Sequence, residues 1–182
     1  RYYTPSGRSI QKPYDDKGEK YFNEYEKRKK SGELYEADSI KVADSLKFKT
    51  KKGRIVYGGG GIIPDVFVPI EKNHNKEGLE LLLQSDIMSY YAFEKLDENR
   101  AFFSKMTKPE LKNEVFKNDK YFIQFKEYVT SNGLLFNLSD QKEQILTYLY
   151  AEFSKQLFND ASYYQIVLPK DKMIKKVLEK QK

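Results

Sequence analysis

The chain contains no cysteine, no tryptophan and a single histidine. It has no apolar run approaching the ~18 residues that a membrane-spanning helix needs. Without cysteine there is no disulfide, thiol nucleophile or cysteine-ligated metal. His74 stands in the polar stretch Asn73-His74-Asn75. It has no second histidine or cysteine to build a metal set and no partner for acid–base work, so it reads as a surface residue. No cofactor is expected. No N-terminal signal pattern is visible, and no membrane contact by this chain is expected. Internal repeats and low-complexity tracts are absent as well. The sequence begins at Arg1, inside a strand-like motif, which leads us to expect a piece of a longer protein.

What is present is a folded, polar-surfaced composition. The 182 residues are 33% charged and 39% hydrophobic, with 15 tyrosines and 12 phenylalanines. Net charge is modest, 33 − 27 = +6. The densest basic run, Lys27-Arg28-Lys29-Lys30, reads as a solvated helix end, with cations near the negative C-terminus of the helix dipole. Nucleic-acid recognition would need cations on one face with aromatics set to stack, and no such partner is expected.

Gly53 to Pro69, GRIVYGGGGIIPDVFVP, is the most informative stretch. Ile55-Val56-Tyr57 and Val66-Phe67-Val68 flank four consecutive glycines, and both are β-branched and aromatic runs that read as strands. Glycine permits positive φ and close approach of another chain, so Gly58 to Gly61 read as framework rather than as a flexible loop. Upstream, Arg1 to Thr4 is strand-like, Pro5 to Arg8 is a turn, and Ser9 to Lys12 is extended because Pro13 follows. Asp15-Asp16 can cap a helix over roughly Gly18 to Lys30, with Tyr21, Phe22 and Tyr25 on its apolar face and Gly32 closing it. Asp38 to Val42 reads as a short extended piece. Leu46 to Thr50 alternates and turns through Lys51-Lys52-Gly53 into Ile55 to Tyr57, which predicts a hairpin.

After a polar connector, Glu71 to Gly78, the period becomes helical. Leu79, Leu82, Leu83, Ile87, Tyr90, Tyr91, Phe93 and Phe102 predict one or two helices to about Lys105, punctuated by Pro109. Asp119 can cap a helix carrying Phe122, Phe125 and Val129, ended by Gly133. Asp140 with Glu143 fits a capping box ahead of Ile145, Leu146, Leu149, Phe153 and Leu157. Asp160 restarts a short segment, Pro169 breaks it, and Asp171 caps a last amphipathic helix with Ile174, Val177 and Leu178. The expected fold class is therefore α+β. Short antiparallel strands fill residues 1–70, residues 71–78 connect, and a mainly helical region covers residues 79–182.

The common catalytic signatures are missing. The four glycines are no P-loop, because no Gly-Lys-Ser/Thr follows, and there is no G-x-S-x-G. Ser9 and Lys12 match S-x-x-K. That spacing aligns two side chains only on a helix, and Pro13 biases Lys12 toward extended backbone.

Arg1-Tyr2-Tyr3-Thr4-Pro5-Ser6-Gly7-Arg8-Ser9-Ile10-Gln11, together with Gly61-Ile62-Ile63-Pro64-Asp65-Val66 and Val68, resembles the C-terminal processing peptidases, or tail-specific proteases. These are serine peptidases with a Ser-Lys pair, often carrying a PDZ domain. Many members join the two segments almost directly. Here roughly 45 residues intervene, which is similar to the longer, Bacteroidetes-type form. The resemblance covers Arg1 to about Pro69. It implies that residues 1–70 are the end of a peptidase core and that the parent cleaves proteins near their C-termini in the cell envelope or periplasm.

The family's catalytic serine, lysine and assisting polar residue all precede the Tyr-Thr-Pro-Ser-Gly-Arg segment and have no counterpart here. No catalytic, cofactor-binding or metal residue is therefore assigned, and the chain alone is expected to be inactive. Thr4 to Ser9 and Gly58 to Asp65 carry over only as framework near the substrate-binding region. Protein or peptide substrates are expected through the parent, and a homo-oligomer is left open. The other expectation is a non-catalytic domain of an envelope protein, binding a peptide or protein through an exposed strand edge or an aromatic helix groove.

Overall fold

The computed structural model describes residues 2–11, 23–40, 44–59, 61–70 and 77–181, with backbone alone at Asp44 and Glu77. The chain is α+β, mostly helical with a small antiparallel sheet. It divides into two compact units, residues 1–72 and 73–182.

The first unit is built on one loop used twice. Thr4-Pro5-Ser6-Gly7-Arg8 and Thr50-Lys51-Lys52-Gly53-Arg54 share the pattern Thr-x-x-Gly-Arg. In each, the glycine N–H donates to the threonine carbonyl at 2.9 Å, and the threonine N–H donates to the arginine carbonyl at 2.9 Å. In each, the glycine is left-handed, with φ of 78° at Gly7 and 81° at Gly53. This is the three-residue hairpin loop, a turn followed by a left-handed residue. The first loop brings Tyr3 opposite Ser9 in an antiparallel bridge. The second joins β1 (Lys47–Lys49) to β2 (Ile55–Tyr57) in the register Lys47↔Tyr57, Phe48↔Val56, Lys49↔Ile55.

The helix α1 (Glu24–Ser31) ends at left-handed Gly32, with the Glu33 N–H reaching back to the Arg28 carbonyl at 3.1 Å. The basic run lies in its last turn, as expected of a solvated helix end. Tyr25, expected on an apolar face, is exposed. Asp15, Asp16, Tyr21 and Phe22 lie outside the described residues. Asp38, expected in an extended piece, sits in a 3-10 turn at Ala37–Ser39. Val66-Phe67-Val68, expected as a strand, forms none among the described residues. Pro64 and Pro69 lack ladder donors on either side, and no described strand lies alongside to pair.

The second unit is helical: α2 (Glu77–Gln84), α3 (Ile87–Glu98), α4 (Arg100–Phe103), α5 (Lys108–Phe116), α6 (Lys120–Ser131), α7 (Lys142–Leu157), α8 (Asp160–Val167) and α9 (Lys172–Lys180). The one or two helices expected to Lys105 are three, separated at Ser85-Asp86 and Asn99. Pro109, read as a break, instead opens α5, where a missing N–H costs nothing. Ahead of it the Glu110 carboxylate accepts from the Thr107 N–H at 2.8 Å and the Thr107 hydroxyl at 2.7 Å. Those bonds, the backbone one foremost, hold the Glu110 pKa below its ordinary value.

The Asp140/Glu143 box does not form. Asp140 is taken up in a 3-10 turn at Ser139–Gln141, so α7 starts at Lys142 without a side-chain cap. Asp119 precedes α6 in left-handed backbone, again with no side-chain cap. Asp171 does cap α9: its Oδ1 accepts from the N–H groups of Met173 at 2.7 Å and Ile174 at 3.0 Å.

α7 is the centre of this unit and packs against α3, α5, α6 and α8. Leu79, Leu82, Phe122, Phe125, Val129, Ile145, Leu149 and Phe153 meet in one buried cluster. Leu83, expected among them, is 39% exposed. Tyr91, Tyr121, Phe125 and Phe153 turn inward, whereas Tyr90, Phe93 and Phe102 are exposed. Tyr91 meets Phe125 edge-on at 5.2 Å, and Tyr121 meets Phe153 edge-on at 5.6 Å. The Tyr91 hydroxyl donates to the Tyr121 carbonyl at 3.3 Å, which satisfies its polar end inside the core.

Candidate functional site

In the first unit the two segments singled out in the sequence come together. The Gly59 N–H donates to the Ser9 carbonyl at 3.2 Å, and the Gly58 N–H donates to the Leu46 carbonyl at 2.9 Å. Arg8 Nη1 donates to the Tyr57 carbonyl at 3.2 Å. The loop glycines are required here for space and for angle. A Cβ on Gly58 would lie 2.9 Å from both Arg8 Cγ and the Phe48 ring. Gly59 has φ of 81° and Gly61 has φ of 104°. Gly60 lies outside the described residues. Arg54 reaches Asp65 at 3.0 Å, with both groups exposed.

Among the described residues this arrangement is built from backbone hydrogen bonds. Ser9 sits in the β-bridge and its hydroxyl donates to the Gln11 carbonyl at 3.3 Å. Lys12 and His74 lie outside the described residues. Val56 is the one buried hydrophobic side chain among the described residues of this unit. Tyr2, Tyr3, Ile10, Ile55 and Ile62 are all exposed.

In the second unit a polar cavity of about 90 Å³ lies among Ser85, Asp86, Ser89, Tyr148, Glu152, Lys155 and Tyr163. Burial raises the Glu152 pKa above its ordinary value, with Asp86 adding to the effect and Lys155 and the Ser89 hydroxyl opposing it. Glu152 Oε2 has no hydrogen-bond partner among the described residues. Gln156 Nε2 donates to the Ser89 carbonyl at 2.9 Å, closing the same junction of α3 and α7. Tyr163 is raised as well, by burial and then by Glu152. The volume is that of a few waters, far below the hundreds of cubic ångströms of a small-molecule site. Chemically this is a small polar junction between helices.

The sequence reading missed Glu152, although a signal was there. Glu152 follows Ile145 by seven residues and Leu149 by three, which sets it at the edge of the α7 apolar stripe beside Ile145. An acidic side chain on that face must be desolvated.

A more open concavity of about 500 Å³ is formed by Ala101, Phe102, Lys105, Met106 and Glu110. No cluster of three histidine, cysteine or carboxylate side chains able to hold a metal occurs among the described residues. No helix of the described residues is long and apolar enough to cross a membrane.

Residues 79–159 match the model of a family of unknown function, DUF8443. The match lies within the helical unit, apart from the residues that carry the peptidase resemblance. No curated protein and no solved structure matches the chain.

Proposed function

We propose that this chain is the C-terminal part of a carboxy-terminal processing serine peptidase of the Ser-Lys type, acting on protein C-termini in the cell envelope. The observation that carries this reading is the pairing of Ser9 with Gly59 and of Arg8 with Tyr57. Roughly 45 residues separate the two segments that resemble the peptidase family, yet the first is hydrogen-bonded to the residues that lead directly into the second. The sparse burial among the described residues of the first unit supports the same reading. A two-stranded sheet is marginal by itself, and the exposed Tyr2, Tyr3, Ile55 and Ile62 suit a surface that further polypeptide covers. In this reading the nucleophile and base precede Arg1, and the framework glycines hold the rim of the substrate region.

A second reading, a non-catalytic interaction domain, draws on the open concavity beside the half-exposed Phe102. The test compares this chain with the longer polypeptide that contains it, using an unstructured protein labelled at its C-terminus. The longer polypeptide is expected to remove the label, its upstream serine-to-alanine variant to lose the activity, and this chain to cleave nothing. Cleavage by this chain that Ser9→Ala abolishes would overturn the dismissal of Ser9. Absence of an upstream serine and lysine would overturn the peptidase reading.

A further inference from the structure

The last helix differs from the rest of its unit. None of its residues is buried. Met173, Val177 and Leu178 are 61%, 54% and 53% exposed, although Asp171 caps the helix fully. At 3.6 residues per turn, Met173, Ile174, Val177 and Leu178 fall within an arc of about 140°. Lys172, Lys175, Lys176, Glu179 and Lys180 fall within the opposite arc of about 140°. Residues 170–182 carry six lysines against Asp171 and Glu179, a net charge of 6 − 2 = +4. One glutamate is already used, since Lys176 pairs with Glu179 at 2.9 Å.

An exposed apolar stripe bordered by cations has a specific physical partner. A helix that is polar on balance, with a basic face opposite an apolar stripe, lies in the plane of a membrane interface with the stripe sunk to the acyl boundary. The lysines at the stripe's edges keep their charge at headgroup level while their stems cover apolar surface. Anionic headgroups supply the complementary charge. An acidic protein groove would accept the same charges, but it would also require shape complementarity for a stripe only two turns long.

We propose that α9 is a membrane-surface anchor that docks on anionic phospholipid. The sequence expectation of no membrane contact rested on the absence of a spanning segment, and a helix lying on the surface needs none. This proposal stands independently of the peptidase reading.

The experiment is flotation of the full chain with vesicles of phosphatidylcholine alone, and with vesicles of phosphatidylcholine and phosphatidylglycerol. Binding is expected to the anionic vesicles only. It should fall as salt shortens the screening length from about 10 Å at 0.1 M to about 3 Å at 1 M. Each lysine near the surface is worth about fivefold in affinity. Lys175→Glu with Lys176→Glu should therefore weaken binding at least about 25-fold. Val177→Asp with Leu178→Asp should abolish it and leave the unfolding midpoint unchanged. No binding to anionic vesicles, equal binding to neutral ones, or binding untouched by the aspartates would overturn the proposal. A lowered unfolding midpoint in the aspartate variant would overturn it too, because the stripe would then be packed against protein.

Discussion

Leu149→Ala is the sharpest probe of the helical unit. Leu149 has no exposed surface and sits midway along α7, the helix against which α3, α5, α6 and α8 pack. Truncation forfeits the transfer of the lost methyl groups and leaves a hole that the neighbours can close only by shifting. Leucine-to-alanine changes at such positions cost about 2–5 kcal/mol. Leu149 lies fully buried in the shared cluster of a helix packed by four others, so little collapse is available, and a loss of about 3 kcal/mol or more is expected. With a urea slope of about 1–3 kcal/mol per molar, the midpoint should fall by about 1–3 M.

The assay is urea unfolding followed by helical circular dichroism, with Leu135→Ala as control. Leu135 is the same residue type at 82% exposure. A surface substitution of that kind stays within about 0.5 kcal/mol. If Leu149→Ala shifts the midpoint no further than Leu135→Ala, the shared core is refuted.

Two other outcomes are expected. Gly59→Ala forces a side chain into left-handed backbone and places a Cβ 3.0 Å from the Leu46 methyls; at about 1–2 kcal/mol for the backbone alone, amide exchange at Tyr57 and Gly59 should quicken while that of the helical unit stays unchanged. Glu152→Gln should raise the unfolding midpoint at neutral pH, because folding raises this carboxyl's pKa. Stability from the neutral form is present below the unfolded pKa and lost as pH rises through the folded one. The gain should vanish in acid, and a gain independent of pH would refute the desolvation account.

Local chemistry made much of the fold legible. The Thr-x-x-Gly-Arg loops declare themselves because glycine alone occupies the left-handed position without strain. The stripes on α6 and α7 declare themselves because a helix of twelve or sixteen residues must bury one face to persist. What failed were judgements that depend on neighbours. Val66 to Val68 has the composition of a strand, but strand formation needs an adjacent ladder, and composition does not supply one. Pro109 has one meaning inside a helix and the opposite meaning at its second position, so the boundary turned on Thr107 and Glu110 two residues to either side or less. The D-x-x-E form at Asp140 was outcompeted by a 3-10 turn drawn from the same residues. Glu152 was hidden by its type, since a carboxylate at the edge of an apolar stripe reads as solvated until its neighbours are known.

The two units differ in what holds them, and that difference bears on function. The helical unit buries leucines and aromatics from α2 to α7 and gives two inward tyrosine hydroxyls partners, Tyr91 on the Tyr121 carbonyl and Tyr150 on the Lys108 carbonyl. It has the interior of an independent folding unit. Among its described residues the first unit has framework bonds and one buried hydrophobic side chain. Its glycines are fitted to Arg8, Phe48 and Leu46 at van der Waals limits, yet Val56 is its one buried hydrophobic among the described residues. Close backbone fitting around so few buried described side chains is wasteful for a flexible appendage, because fixing each residue costs about 1–2 kcal/mol of entropy. It is what a segment needs when its free faces complete a larger sheet. Amide exchange separates the two cases. If residues 44–59 are as protected in this chain as in the longer polypeptide, the unit stands by itself and the fragment argument fails. Protection that appears only in the longer polypeptide would show that further chain packs on this unit, with the exposed Tyr2, Tyr3, Ile55 and Ile62 as the residues to probe.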